Sequence, residues 1–98
     1  MDYLISPEQL KSELGKVVLV DVREPEEYEE SRIEGCILIP LGEITSRALR
    51  ELNPEDRIVL YCAHGVRSLH ALMALRNLGF EKLRSLDGGI CAWQELGY

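Results

Sequence analysis

The sequence has no apolar run near the ~20 residues that a membrane span needs, and its start, Met1-Asp2-Tyr3, is unlike a signal peptide. Basic residues are also few. There are 11 Lys and Arg against 17 Asp and Glu, a net charge of −6, whereas a nucleic-acid-binding protein needs a basic face. We therefore expect a protein that neither crosses a membrane nor binds nucleic acid.

Cysteine is scarce as well, and its spacing argues against a metal site. The three cysteines, Cys36, Cys62 and Cys91, cannot all pair, and they lack the CxxC or Cys/His spacing of a zinc site. We expect reduced thiols in a cytoplasmic compartment. A cysteine with a chemical role is compatible with this setting.

The chain is long enough for one compact domain, which we place at residues 1–98. Size scaling predicts that folding buries about 65% of the surface of the unfolded chain. The hydrophobic content of 46% and the charged content of 29% agree with a globular domain and exclude a disordered tail.

The negative charge lies in the first half of the chain. Residues 1–49 contain 5 basic and 11 acidic side chains, whereas residues 50–98 contain 6 of each. The acidic cluster consists of Glu24, Glu26, Glu27, Glu29, Glu30 and Glu34. It is interpreted as a solvated helix face, with an electrostatic docking patch as the alternative.

Apolar runs recur about every twenty residues, and helical segments lie between them. The runs cover residues 17–20, 37–39, 58–60 and 82–86. The first and third are continuous rather than alternating, as is typical of strands buried on both faces. A capping box at Ser6 begins a helix that ends at Gly15, and further helices are predicted at about 25–30, 44–52, 68–78 and 89–96. This pattern predicts an α/β fold with a mostly parallel sheet.

The segment that indicates chemistry is the loop at residues 62–68, Cys-Ala-His-Gly-Val-Arg-Ser, which joins a buried strand to an apolar helix. Ligand sites of open α/β sheets lie at the carboxyl ends of strands. Gly65 can take the positive φ that so short a loop needs, so that successive amides point inward at the positive end of the helix dipole. Such a field favours the thiolate of Cys62 and makes it a nucleophile.

Arg67 adds a fixed positive charge at the rim of this loop, suited to a sulfonyl-like or phosphate-like anion; a structural ion pair is the alternative. His64 is either a substrate contact or an exposed loop residue, and no partner makes it a general base. His70 is expected to be an ordinary surface or packing residue.

Other polar residues are expected to support the fold. Asp21 ends a buried strand at the same sheet edge and is interpreted as a structural carboxylate, bonded to loop amides or to an arginine. Arg23 faces the site or, as we favour, pairs with Glu24 or the acidic helix. Cys36 and Cys91 are expected to be packed thiols, with a resolving cysteine as the alternative.

These residues together resemble the rhodanese-like, single-domain sulfurtransferase family, over almost the whole chain. Residues 21–28 (DVREPEEY) look like its first signature, 33–40 (IEGCILIP) its continuation, 62–68 its active-site loop, and 88–90 with Ala92-Trp93 and Gly97-Tyr98 its terminal signature. The resemblance implies a five-stranded, mostly parallel sheet flanked by helices on both faces.

The resemblance also implies a reaction without metal or organic cofactor. The Cys62 thiolate would take the outer sulfur of a thiosulfate-like donor, carry it as a persulfide, and pass it to cyanide, a thiol or a protein thiol such as that of a thioredoxin. Asp21 and Arg23 would support the site. The implied persulfide cradle consists of Ala63, His64, Gly65, Val66, Arg67 and Ser68.

Two alternatives stay open. One is a non-catalytic rhodanese-like binding or regulatory module that uses the acidic face, although inactive members commonly lack the cysteine that is Cys62 here. The other is a related cell-cycle phosphatase or arsenate reductase. Those relatives have five residues between cysteine and arginine, whereas four stand here, and Tyr61 replaces the histidine before the cysteine. Ser31-Arg32 replaces a frequent Gly-His, which we expect to affect packing near the helix end.

Overall fold

The computed structural model describes residues 3–98, so Met1 and Asp2, on which the argument against a signal peptide partly rests, lie outside the described residues. Within residues 3–98, five strands form one sheet in the order β1-β5-β4-β2-β3, and every pairing is parallel. The strands are β1 Leu4–Ile5, β2 Val18–Asp21, β3 Ile37–Leu38, β4 Ile58–Tyr61 and β5 Leu83–Leu86. The α/β class is confirmed, and β1 is a strand that the apolar runs did not predict.

Helices connect the strands and begin close to their predicted positions. They are α1 Pro7–Glu13, α2 Pro25–Glu30, α3 Ile44–Glu51, α4 Val66–Asn77 and α5 Gly89–Glu95, with a 3-10 turn at Leu41–Glu43. The predicted capping box is present, since the Gln9 amide donates to Ser6 Oγ and the Ser6 amide donates to Gln9 Oε1, both at 3.1 Å. Helix α4 starts before Ser68, because Gly65 at φ +113° turns the chain directly into it.

The sheet is buried on both faces because successive side chains of a strand point to opposite sides. In β4, Ile58 and Leu60 pack against α3 and α4, whereas Val59 and Tyr61 pack against α1 and α5. This division explains the continuous apolar runs. It also confirms the helices expected on both faces.

The carboxyl ends of β2 and β4 lie side by side, with Asp21 aligned to Tyr61. Helix α2 therefore starts close to the loop that follows β4. None of its residues is buried. Across the part of the chain that the structure describes, no helix is long and apolar enough to span a membrane.

Candidate active site

The loop after β4 turns sharply around the sulfur of Cys62. The side chain of Cys62 is 1% exposed and points to the face of the sheet that α3 and α4 cover. Gly65 takes a left-handed conformation at φ +113°, which a residue with a Cβ rarely adopts. The loop therefore presents its amides and the first turn of α4 to the sulfur.

Two backbone amides and one hydroxyl surround the Cys62 sulfur. The amide of Gly65 lies 3.1 Å from Sγ, the amide of Ser68 3.4 Å, and the hydroxyl of Ser68 3.5 Å. Burial alone would raise the pKa of Cys62, but the bonds from the hydroxyl and amide of Ser68 and from the amides of Gly65 and His64 outweigh it and lower the pKa. Donors that stabilise the anion favour the thiolate, which is the nucleophilic form.

Ser68 is itself held by a second buried serine. Ser85 in β5 is fully buried, and its Oγ lies 2.7 Å from Ser68 Oγ. The Ser68 hydroxyl also lies 3.1 Å from the carbonyl of Gly65. Strand β5 thus fixes the rotamer of a side chain that contacts the Cys62 sulfur.

Helix α5 braces the loop from its other side. The amides of Ile90 and Cys91 donate to the carbonyls of Cys62 and Ala63 at 2.9 and 3.1 Å. This close approach requires a glycine at position 89, because a Cβ there would lie 2.4 Å from the Ala63 carbonyl oxygen, in a backbone with φ +62°. The first turn of α5 therefore holds two carbonyls in place and leaves the loop amides facing the sulfur.

Arg67 does not extend freely over the sulfur but pairs with the acidic helix. Its Nη1 and Nη2 donate to the two carboxylate oxygens of Glu27 at 2.7 and 2.9 Å. The hydrogen bond to Arg67 outweighs burial and lowers the pKa of Glu27 to about 2. The same bond raises the pKa of Arg67, and the negative charge of Cys62 adds to this rise.

His64 is exposed at the outer side of the loop. Its Nε2 lies 3.9 Å from Cys91 Sγ, which brings a second thiol to the edge of the site. A shallow cavity of about 210 Å³ opens beside His64, with Val66 and Leu69 in its wall. The Val66 side chain is 65% exposed, so the entrance beside the loop is partly apolar.

Asp21 and Arg23 lie on the other face of the sheet from the Cys62 sulfur. They form a buried ion pair, with Arg23 Nη2 at 2.7 Å and Nε at 3.0 Å from the carboxylate. The expected structural pair of Arg23 is therefore present, but its partner is Asp21 and not Glu24 or another carboxylate of the acidic helix. Arg23 also donates to the carbonyl of Ser31 at 2.6 Å and so ties the end of α2 to β2.

Tyr61 completes this buried group. Its hydroxyl donates to Asp21 at 2.9 Å and accepts the Ile33 amide at 3.1 Å. Cys36 Sγ lies 3.4 Å from the same hydroxyl, and burial raises the pKa of that thiol. Cys36 is thus part of the packing under α2, away from the Cys62 loop.

Ser31 and Arg32, which replace the frequent Gly-His, make contacts at the end of α2. Arg32 donates to the carbonyl of Tyr28 at 3.1 Å and stacks on the Tyr28 ring at 4.4 Å. The Ser31 hydroxyl accepts from Gln94 at 3.3 Å. Both residues serve packing at the end of α2, as the sequence predicted.

Comparison with known proteins identifies the family. The profile of the Rhodanese-like domain matches residues 6–96. The chain belongs to this family. Its cysteine loop stands at the carboxyl edge of the parallel sheet, where the resemblance placed it.

Relatives of this rhodanese-like domain include both short and long proteins. A solved structure of the human single-domain sulfurtransferase TSTD1 is 31% identical, covers 97% of both chains and superposes with a TM-score of 0.88. A sulfurtransferase of Allochromatium vinosum is 36% identical over 83% of this chain and 75% of its own length. The probable adenylyltransferase/sulfurtransferase MoeZ of Mycobacterium tuberculosis is 43% identical over 91% of this chain, which spans only 24% of MoeZ.

Sequence reasoning missed two residues of this rhodanese-like site. Glu27 belongs to the acidic cluster of the sequence, and only its charge, opposite to that of Arg67, indicates a contact between residues forty positions apart. Ser85 was not singled out, although a serine beside Leu86 in an apolar strand signals a buried hydroxyl that needs a partner. Among residues 3–98, no group of three or more His, Cys, Asp or Glu side chains is arranged to hold a metal ion.

Proposed function

We propose that this rhodanese-like protein is a sulfurtransferase whose Cys62 carries sulfane sulfur as a persulfide. The donor is a small thiosulfate-like anion, and the acceptor is cyanide, a thiol or a protein thiol such as that of a thioredoxin. The observation that carries the proposal is the pair of backbone amides, of Gly65 and Ser68, that donate to the Cys62 sulfur, with the Ser68 hydroxyl beside them.

These donors can stabilise the negative charge that Cys62 carries before and after the transfer of sulfur. The thiolate attacks the outer sulfur of thiosulfate, a sulfur–sulfur bond forms to Cys62, and the bond to the sulfite group breaks with its electron pair. The product persulfide again carries one negative charge, so the amides that stabilise the thiolate remain useful after the first step. A second nucleophile then takes the terminal sulfur and restores the thiolate, which gives ping-pong kinetics.

The burial of Cys62 is consistent with the transfer of a single sulfur atom. With a side chain that is 1% exposed, the sulfur accepts a single terminal atom more readily than a bulky group. The loop has four residues between Cys62 and Arg67, which favours sulfur over a phosphoryl group. The names of the human and Allochromatium relatives as sulfurtransferases support the same activity.

Reduced cysteines favour a reducing compartment for this reaction. Cys36, Cys62 and Cys91 are all free thiols, and we assign the protein to the cytoplasm on this ground. A thiol-reducing environment also supplies acceptors for the second step. The site lies at a sheet edge with an open, partly apolar side at Val66, which favours a protein thiol among them.

The test is the intact mass of the protein after incubation with thiosulfate. We expect wild type to gain one sulfur atom, and a reducing thiol to remove it. Cys62→Ser should gain none, and Cys91→Ser, which removes the neighbouring thiol, should gain the sulfur as wild type does. A folded wild type that gains no sulfur from any of several sulfane donors would contradict the proposal and favour a binding module. Hydrolysis of an aryl phosphate would favour the phosphatase alternative.

A further inference from the structure

The single arginine of the Cys62 loop is neutralised by an acidic residue of another element. Arg67 and Glu27 make a two-point contact at 2.7 and 2.9 Å, and both side chains are about one-third exposed, at 35% and 34%. The Glu27 carboxylate is fixed further by the amide of Glu24, which donates to its Oε1 at 3.0 Å. With a pKa lowered to about 2, Glu27 is ionised at neutral pH, so the contact is a full charge pair.

The neighbouring cation is neutralised in the same way. Arg23 is buried on the other face of the sheet and is paired with Asp21 at 2.7 Å, so it adds no free positive charge near the loop. Helix α2 adds exposed carboxylates at Glu26, Glu29 and Glu30. A donor that approaches the Cys62 loop beside α2 therefore meets one arginine, Arg67, whose charge is compensated, and an acidic helix, a surface that repels a second negative charge on the donor.

We propose that Glu27 is a positioning residue that holds the charge of Arg67 and thereby selects sulfane donors with one negative charge, of the organic thiosulfonate or persulfide class, over the thiosulfate dianion. This inference rests on the proposed function of Cys62. It refines the donor class for the same site. Glu27 acts through Arg67 and does not touch the reacting atoms.

The transfer from a monoanionic donor needs no further reactant. The Cys62 thiolate attacks the terminal sulfur of methanethiosulfonate, the new sulfur–sulfur bond forms, and methanesulfinate leaves with the electrons of the broken bond. One thiolate and one monoanion give one persulfide anion and one sulfinate. No proton, oxidant or reductant is consumed.

Thiosulfate and methanethiosulfonate make a matched pair of probes, because a methyl group in the second replaces one charged oxygen of the first. The measurement is the second-order rate constant for persulfide formation on Cys62 with each donor, followed by mass at low ionic strength. Since the leaving groups also differ, the informative quantity is the ratio of the two constants compared between variants.

We expect Glu27→Gln to raise the thiosulfate-to-methanethiosulfonate ratio about fivefold, the effect of one charge interaction at a partly exposed site. The glutamine keeps the oxygen that accepts the Glu24 amide, so α2 keeps its cap. Glu30→Gln, which removes the same charge from an exposed position of α2, should leave the ratio within about twofold because of screening by solvent. Glu27→Asp, which retains the charge, should stay closer to wild type than Glu27→Gln does.

A ratio that is the same in Glu27→Gln and wild type, with both proteins loading sulfur from both donors, would overturn the role of Glu27 and leave the sulfurtransferase assignment standing. An equal rise in Glu30→Gln would overturn it too, because the effect would then belong to the net charge of α2. A wild type that loads sulfur from neither donor would overturn the proposed function itself and this inference with it.

Discussion

The reactivity that we propose for Cys62 depends on very few atoms. Within residues 3–98, the hydroxyl of Ser68 is the one side-chain group hydrogen-bonded to the Cys62 sulfur, with the Cys62 thiol donating to Ser68 Oγ at 3.5 Å. The same hydroxyl donates to the Gly65 carbonyl and contacts Ser85 Oγ. A hydroxyl has one hydrogen to donate. Once Cys62 is ionised, the thiolate can accept this hydrogen in place of the Gly65 carbonyl while Ser85 donates to Ser68 Oγ, so Ser68 can form a hydrogen bond with either form of Cys62.

Ser68→Ala should therefore raise the pKa of Cys62. Loss of a hydrogen bond worth about 1 kcal/mol to the thiolate lowers the thiolate population about fivefold at a pH below the pKa. The measurement is the pH profile of Cys62 alkylation by iodoacetamide, in a background with Cys36→Ser and Cys91→Ser. The profile should move to higher pH in Ser68→Ala. It should stay near wild type in Ser68→Thr, which keeps the hydroxyl. Coinciding profiles for all three proteins would show that the Ser68 hydroxyl does not stabilise the thiolate.

At the scale of elements, the sequence predicted what depends on local chemistry. The capping box at Ser6, the helix after Pro25 and the turn at Gly65 each follow from a few adjacent residues, and each is present. Strand β1 has two residues, too few to show a period, and it is stabilised by pairing with β5. The contact of Glu27 with Arg67 depends on where α2 lies relative to α4, which no local pattern determines.

The contact between α5 and the Cys62 loop depends on Gly89, and Gly97 offers a matched control. Gly89→Ala places a Cβ 2.4 Å from the Ala63 carbonyl oxygen, whereas at Gly97, also at positive φ, no atom lies within 4 Å of the new Cβ. The left-handed backbone costs both variants about 1–2 kcal/mol, and overpacking adds about 1–3 kcal/mol for Gly89→Ala alone. Urea unfolding measures this difference in the free energy of unfolding.

The same two variants separate stability from activity. Under native conditions, Gly89→Ala should slow persulfide formation, because the carbonyls of Cys62 and Ala63 lose their hydrogen bonds to α5 and the loop amides lose their alignment. Gly97→Ala should load sulfur at the wild-type rate. If the folded fractions of both variants react equally fast, α5 supports the fold only.

In the molecule as a whole, the two faces of the sheet contain different polar groups. The face under α3 and α4 includes Cys62, while the other includes Tyr61, whose hydroxyl joins the Asp21–Arg23 pair. Tyr61, the last residue of β4, and Cys62, which follows it, thus belong to separate polar groups. The buried ion pair holds the end of α2 through Ser31, and α2 in turn presents Glu27 to Arg67.

Tyr61→Phe should therefore reduce stability and leave the reactivity of Cys62 almost unchanged. The variant removes the acceptor of the buried Ile33 amide and one donor to Asp21, at a cost of about 1–3 kcal/mol. In a domain of this size, each kcal/mol corresponds to roughly 4–8 °C in the midpoint of thermal unfolding. Tyr98→Phe removes a hydroxyl from an exposed ring that packs edge-on against Trp93, and it should unfold with wild type. The separation of the two polar groups predicts lowered stability with an unchanged pH profile for Cys62 alkylation. A displaced profile would show that the two faces of the sheet are not independent. A Tyr61→Phe protein with the stability of wild type would show that the Tyr61 hydroxyl does not stabilise the fold.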